Sequence, residues 1–125
     1  MIALVATIGG TFSIDLDDGD VTPAAPFDSE PEPVLNLPRV VAAAASGATV
    51  VAVVAAKPPL LISHDAGTTW RASGRGLPPG RAIAIGDDPD TIVYGARNRV
   101  YVSRNGGVFW SAVPAELPEI RAVAL

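Results

Sequence analysis

The sequence has 125 residues, material for one domain with a modest core, and 49% of them are hydrophobic, which excludes a disordered chain. Glycine and proline number 12 each, too much punctuation for long helices, and a formal net charge of −4 offers no basic stripe to a nucleic-acid partner. Cysteine is absent, so disulfides and thiolate metal sites are excluded.

In chain order, Met1–Ile8 is apolar on both sides of the alternation, the pattern of a middle strand covered on both faces. No positive charge precedes it and the acidic stretch Asp15–Asp20 follows closely, so it reads as a strand rather than a secretion signal. No run approaches the roughly 18 apolar residues of a membrane span. A soluble, cytoplasmic protein without a membrane partner is therefore expected. Phe12–Asp15 is the next strand-like piece. The carboxylates Asp15, Asp17, Asp18 and Asp20 around Gly19 form an acidic turn that lacks the spacing and distant glutamate of an EF-hand. A solvated turn is expected there, with weak calcium binding as the alternative and no cofactor required. The Pro- and acid-rich segment Pro26–Pro33 carries Asp28, Glu30 and Glu32. Further strand-like pieces are Val41–Ala45, Thr49–Ala56, Leu60–Ser63, Arg81–Ile85, Thr91–Ala96, Val100–Ser103 and Arg121–Leu125, and a weaker piece follows each of Trp70 and Trp110.

These pieces repeat. Leu37-Pro38 recurs as Leu77-Pro78 and Leu117-Pro118, forty residues apart each time, and at that offset Trp70 falls on Trp110 without a gap. The N-terminal part joins at an offset of 48, which sets Phe12-Ser13-Ile14 on Leu60-Leu61-Ile62 and leaves an eight-residue insertion between Thr22 and Leu37. The repeats are about 1–36 plus 117–125, 37–76 and 77–116. Four short strands per repeat of about forty residues is the signature of a propeller blade. A β-sandwich of short strands would not require a register held at forty. The expected fold is all-β, a β-propeller with three four-stranded blades per chain and one blade divided between the chain ends.

Residues Ser63-His64-Asp65-Ala66-Gly67-Thr68-Thr69-Trp70 match the pattern S-x-D-x-G-x-T-W at every fixed position. The copy Ser103–Trp110 has Asn105 for the aspartate and Phe109 for the threonine, and the N-terminal copy keeps Asp17 and Gly19. Physically the element is a hairpin between third and fourth strands: side-chain oxygens accept backbone N–H groups, glycine permits positive φ, and tryptophan fills the space between blades. Over nearly the whole chain the sequence resembles the Asp-box (BNR) repeats of sialidases, sortilin-type receptors, some endoglucanases and bacterial photosystem-assembly factors. In those families the box is structural and lies opposite the ligand face. The resemblance therefore implies a structural role for Ser63, Asp65, Gly67, Thr69, Trp70, Ser103, Asn105, Gly107, Trp110, Asp17 and Gly19.

A sialidase-type site would need clustered arginines and a tyrosine–glutamate pair, but Tyr94 and Tyr101 sit inside strands with no nearby glutamate. The glutamates Glu30, Glu32, Glu116 and Glu119 lie in Pro-containing loops, and no facing carboxylate pair is marked. His64, the sole histidine, occupies a variable box position and has no second zinc ligand. No catalytic residue and no metal site is assigned. The candidate binding rim is formed by the turns between second and third strands, with Lys57, Arg97, Asn98 and Arg99, together with the inserted Asp28, Glu30 and Glu32. A non-enzymatic scaffold or binding module for a protein or glycan is expected. The alternatives are a lectin or a non-catalytic part of a glycoside hydrolase.

Three blades cannot close a ring, since propellers begin at about four. The expectation is a homodimer forming a six-bladed ring, with Arg121–Leu125 of one chain pairing with Met1–Ile8 of the other. That seam would use Met1, Ile2, Leu4, Arg121, Val123 and Leu125.

Overall fold

A computed structural model describes residues 1–125 as twelve strands without a helix. The segments rich in Val, Ile and Ala are too often interrupted by Gly, Pro and Asp-Gly turns to do anything but run as short antiparallel strands. No helix is long and apolar enough to cross a membrane.

The strands form three four-stranded antiparallel sheets. The second sheet is β4 (Val40–Ser46), β5 (Thr49–Val54), β6 (Leu60–Ser63) and β7 (Arg71–Ser73), side by side in chain order. The third sheet is β8 (Ala82–Ile85), β9 (Ile92–Gly95), β10 (Val100–Ser103) and β11 (Ser111–Ala112). The first joins both ends of the chain: β12 (Ile120–Ala124) lies beside β1 (Ile2–Thr7), followed by β2 (Gly10–Asp15) and β3 (Val21–Pro23). As the two-sided apolar pattern predicts, every residue of β5 is buried.

The expected pairing of Arg121–Leu125 with a second chain is corrected here. β12 pairs with β1 of its own chain, Leu4 opposite Ala124 and Val5 opposite Val123. Of the residues assigned to an intermolecular seam, Leu4 and Val123 thus close a sheet within one chain. Ile2 pairs with Asp15 of β2, and Arg121 lies within β12. Met1 and Leu125 flank these strands as exposed ends. The physical reason is local: an unpaired β1 edge in the same molecule is always within reach of β12, and pairing there buries Val123 and Ile120.

The register of β1 against β2 follows the sequence alignment: at the offset of 48, Val5 opposite Phe12 matches Val53 opposite Leu60, and Ala3 opposite Ile14 matches Val51 opposite Ile62. The third sheet departs from it. Val93 faces Val102 and Gly95 faces Val100, so β10 is displaced by two residues along β9. A displacement of two leaves each side chain on its own face, since successive side chains alternate. In the first sheet Ala3, Val5 and Ile14 are completely buried.

Strand β8 touches both β4 and β12, so the sheets stack in the order second, third, first. Ala42, Val51, Val53, Leu60 and Ile62 of the second sheet pack on Ile83, Ile92 and Tyr94 of the third. On its other side the third sheet sets Ala82, Ala84, Val93, Val100 and Val102 against Ala3, Val5, Ile14, Ile120 and Val123 of the first. Each fully buried Val, Leu or Ile contributes about 1.5–3 kcal/mol to such a layer. A Cβ at Gly95 would lie 3.2 Å from Ile120 Cγ2 and 3.3 Å from Val123 Cγ1, so the glycine in β9 is what admits β12 so closely.

The inner strands β4, β8 and β12 line a cleft of about 340 Å³, and Ser29–Pro33 of the long β3–β4 connector runs along its open side.

Candidate functional site

The two complete turns between third and fourth strands are built alike. Ser63 Oγ donates to Asp65 Oδ1 at 2.7 Å and accepts the Gly67 N–H at 2.8 Å. Asp65 Oδ1 accepts the Thr69 N–H at 2.8 Å, and Oδ2 accepts the Thr69 hydroxyl at 2.5 Å. Those bonds, the Thr69 hydroxyl foremost, hold the carboxyl down to about 2. Trp70 Nε1 donates to Gly67 O at 3.1 Å.

In the second copy Ser103 Oγ donates to Asn105 Oδ1 at 3.0 Å and accepts the Gly107 N–H, Asn105 Oδ1 accepts the Phe109 N–H at 2.9 Å, and Trp110 Nε1 donates to Gly107 O. The two departures from the pattern explain one another. Phe109 has no hydroxyl to place, so the second carboxylate oxygen has no partner and an amide suffices. Gly107 is needed for close approach as well as for its φ of 87°: a Cβ there would lie 2.6 Å from Ile62 Cδ1 of the neighbouring sheet.

The N-terminal copy is wired differently. Asp15 Oδ1 takes the serine's part and accepts the Asp17 N–H at 2.8 Å. Asp17 turns its carboxylate away, to the N-terminal ammonium at 3.2 Å and to Arg104 of the third sheet at 2.6 Å. The ammonium, then Arg104, keep its pKa below the usual carboxylate range. Asp18 Oδ1 accepts the Asp20 N–H at 2.9 Å, so the acidic run bonds largely to its own backbone. His64 Nδ1 lies 3.4 Å from Thr49 Oγ1.

The candidate rim is only partly assembled. Arg97 and Asn98 join the β9–β10 turn to the connector after β11: their carbonyls accept the Ile120 and Leu117 N–H groups, and Asn98 Nδ2 donates to Glu116 Oε1 at 3.1 Å. Arg99 O accepts the Ala96 N–H. Glu119 pairs with Arg81, which lowers its pKa. Lys57 stands apart, lining a depression with Pro58, Pro59, Arg75, Gly76 and Leu77. Glu30 and Glu32 face the axial cleft instead of joining these turns, and Asp28 is exposed in the connector. The extra connector length is used to run along β4, β8 and β12, which draws the acids inward.

One groove was not anticipated from the sequence. Between the outer strands of the second and third sheets lies a space of about 650 Å³, with Arg71, Ser73 and Arg75 on one side and Tyr101, Phe109 and Trp110 on the other. Its signal in the sequence was phenylalanine at the position where the full pattern has threonine.

No family model matches the chain, and no curated protein does. Among solved structures, the GH74 enzyme of Niastella koreensis superposes with a TM-score of 0.53 at 22% identity, over 93% of this chain and 18% of that one. The fold is β-propeller-like. The chain spans under a fifth of that enzyme's length, and at this identity the likeness concerns the fold alone.

Proposed function

We propose that the chain is a non-enzymatic β-propeller module of the Asp-box kind that binds a protein or glycan. The observation that carries this reading is where the reactive groups go. Asp65 is bound within its turn, Asp17 joins two blades, Glu116 and Glu119 hold the rim together, and the Tyr94 hydroxyl donates to Pro78 O. These carboxylates and this hydroxyl, groups of the kind a glycosidase uses for proton transfer or nucleophilic attack, are thus occupied in shaping loops. Turnover of an aryl glycoside that a single carboxylate substitution abolishes would overturn the reading. A second reading, a carbohydrate-binding or non-catalytic part of a larger glycoside hydrolase, is favoured by the likeness to the GH74 enzyme.

The working form is a closed ring of two copies. The stack of three blades has two ends, and both present apolar side chains: Ile2, 51% exposed, and Leu4 at one, Val41, 46% exposed, and Leu61 at the other. A second copy related by a two-fold axis would set the first blade of each chain on the second blade of the other, repeating the packing already made twice inside the chain. No strand is exchanged. Light scattering at micromolar concentration should give about twice 12.8 kDa, and Ile2→Arg with Leu4→Arg should halve that mass while leaving the β-sheet circular dichroism in place. A folded monomer for the unaltered chain would sink the ring.

A further inference from the structure

The groove between the outer strands of the second and third blades has features that the turn geometry does not require. Phe109 is 74% exposed, although it follows a turn whose backbone is already held by Asn105. An aromatic ring left in water beside a fixed indole is a stacking platform. The indole is fixed: Trp110 Nε1 bonds Gly107 O, and its ring meets Tyr94 edge-on at 5.9 Å and 65°. Across the groove stand Arg71 and Arg75, both exposed. The ion pairs of the chain involve the N-terminus, Asp17, Arg81, Glu119 and Arg104, so neither of these guanidiniums has a carboxylate partner. On a protein of net charge −4, two unpaired arginines beside an exposed aromatic ring form a local site for an anion attached to a flat or CH-rich ring.

We propose that this groove binds a pyranose that carries a carboxylate, such as a hexuronate unit of an acidic polysaccharide. The apolar CH face of the sugar would lie on Phe109 and against Trp110, and the carboxylate would be held by the planar forks of Arg71 and Arg75. This rests on the reading of the chain as a binding module and names its ligand class.

The test is calorimetry of the full chain with trigalacturonate, cellotriose and adenosine monophosphate, with tryptophan fluorescence followed in parallel. Trigalacturonate is expected to bind, to perturb the fluorescence, and to weaken as salt rises. Cellotriose is expected to bind roughly tenfold more weakly or not at all, because a charged hydrogen bond is lost. Phe109→Thr, which restores the threonine of the full pattern, and Arg71→Gln with Arg75→Gln should each weaken trigalacturonate by about tenfold or more. Arg39→Gln, which removes an exposed cation of the β3–β4 connector outside the groove, should change nothing. Absence of trigalacturonate binding, equal binding of cellotriose, or tighter binding of the nucleotide would overturn the proposal. So would loss of binding in Lys57→Gln with Phe109→Thr unaffected, an outcome that leaves the binding-module reading intact and moves the site to the rim.

Discussion

Asp65 gathers the hydroxyl and N–H of Thr69 and the hydroxyl of Ser63, and those bonds favour its anion. Its pKa is lowered from 3.8 to about 2, so the folded state binds this proton less readily than the unfolded chain. The stability it contributes is fully present above the unfolded value and is lost as pH falls through the folded one. Asp65→Asn should therefore melt below the parent at pH 7, and the gap should narrow between about pH 4 and pH 2. Parallel thermal melts at four pH values check this; a gap constant down to pH 2 would remove Asp65 from the acid response. The next residue, Ala66, has a φ of 56°, whereas the second copy has Gly106 at 70° in that place. A left-handed non-glycine residue costs about 1–2 kcal/mol. Ala66→Gly should raise the urea midpoint by the part of this that the freer unfolded chain does not cancel. At this scale the sequence was most legible, because each bond of the turn spans at most four residues and is encoded in one short motif. Asp17 was legible as a member of that motif but not as the partner of Arg104, which lies far along the chain and reaches it only in the folded state.

Among the elements, repeat spacing located the strands to within a residue or two, since a buried strand needs a run of Val, Ile or Ala between turn residues whatever its partners. The register of β1 against β2 was legible in the same way, since the offset of 48 that sets Asp17 and Gly19 on Asp65 and Gly67 also sets its pairs on those of β5 and β6. The two-residue displacement of β10 along β9 was not, because it keeps every side chain on its face and leaves the hydrophobic pattern unchanged. Nor does a periodic pattern say whether β12 pairs within its chain or with another, because both choices make the same sheet. A cross-link distinguishes them. The chain contains no cysteine, and Leu4 lies opposite Ala124. Leu4→Cys with Ala124→Cys should oxidise to a species that runs as a single chain on a non-reducing gel. A covalent dimer would mean that β12 pairs in trans after all.

For the molecule as a whole, the β3–β4 connector is the part that escapes the repeat. Residues 24–39 join the first blade at one end of the stack to the second at the other, whereas residues 74–81 suffice between the second and third. The insertion is thus the length of chain needed to run past β8 and β12 along the axial cleft, and its acids are carried inward with it. If two copies form the ring, melting temperature should climb with protein concentration, as for any assembly in which the folded form is the associated one. The closure of the first blade also sets an order of events during synthesis. β1 leaves the ribosome before the second and third blades and its partner β12 only after them, and at about 5–20 residues per second the gap is on the order of ten seconds. The second and third blades, each continuous in the chain, can form as soon as they emerge. Throughout that interval Ile2–Thr7 is a nascent strand with one bare edge, and a chaperone that shields it until β12 emerges would raise the yield of folded chain more than one acting after the first blade has closed.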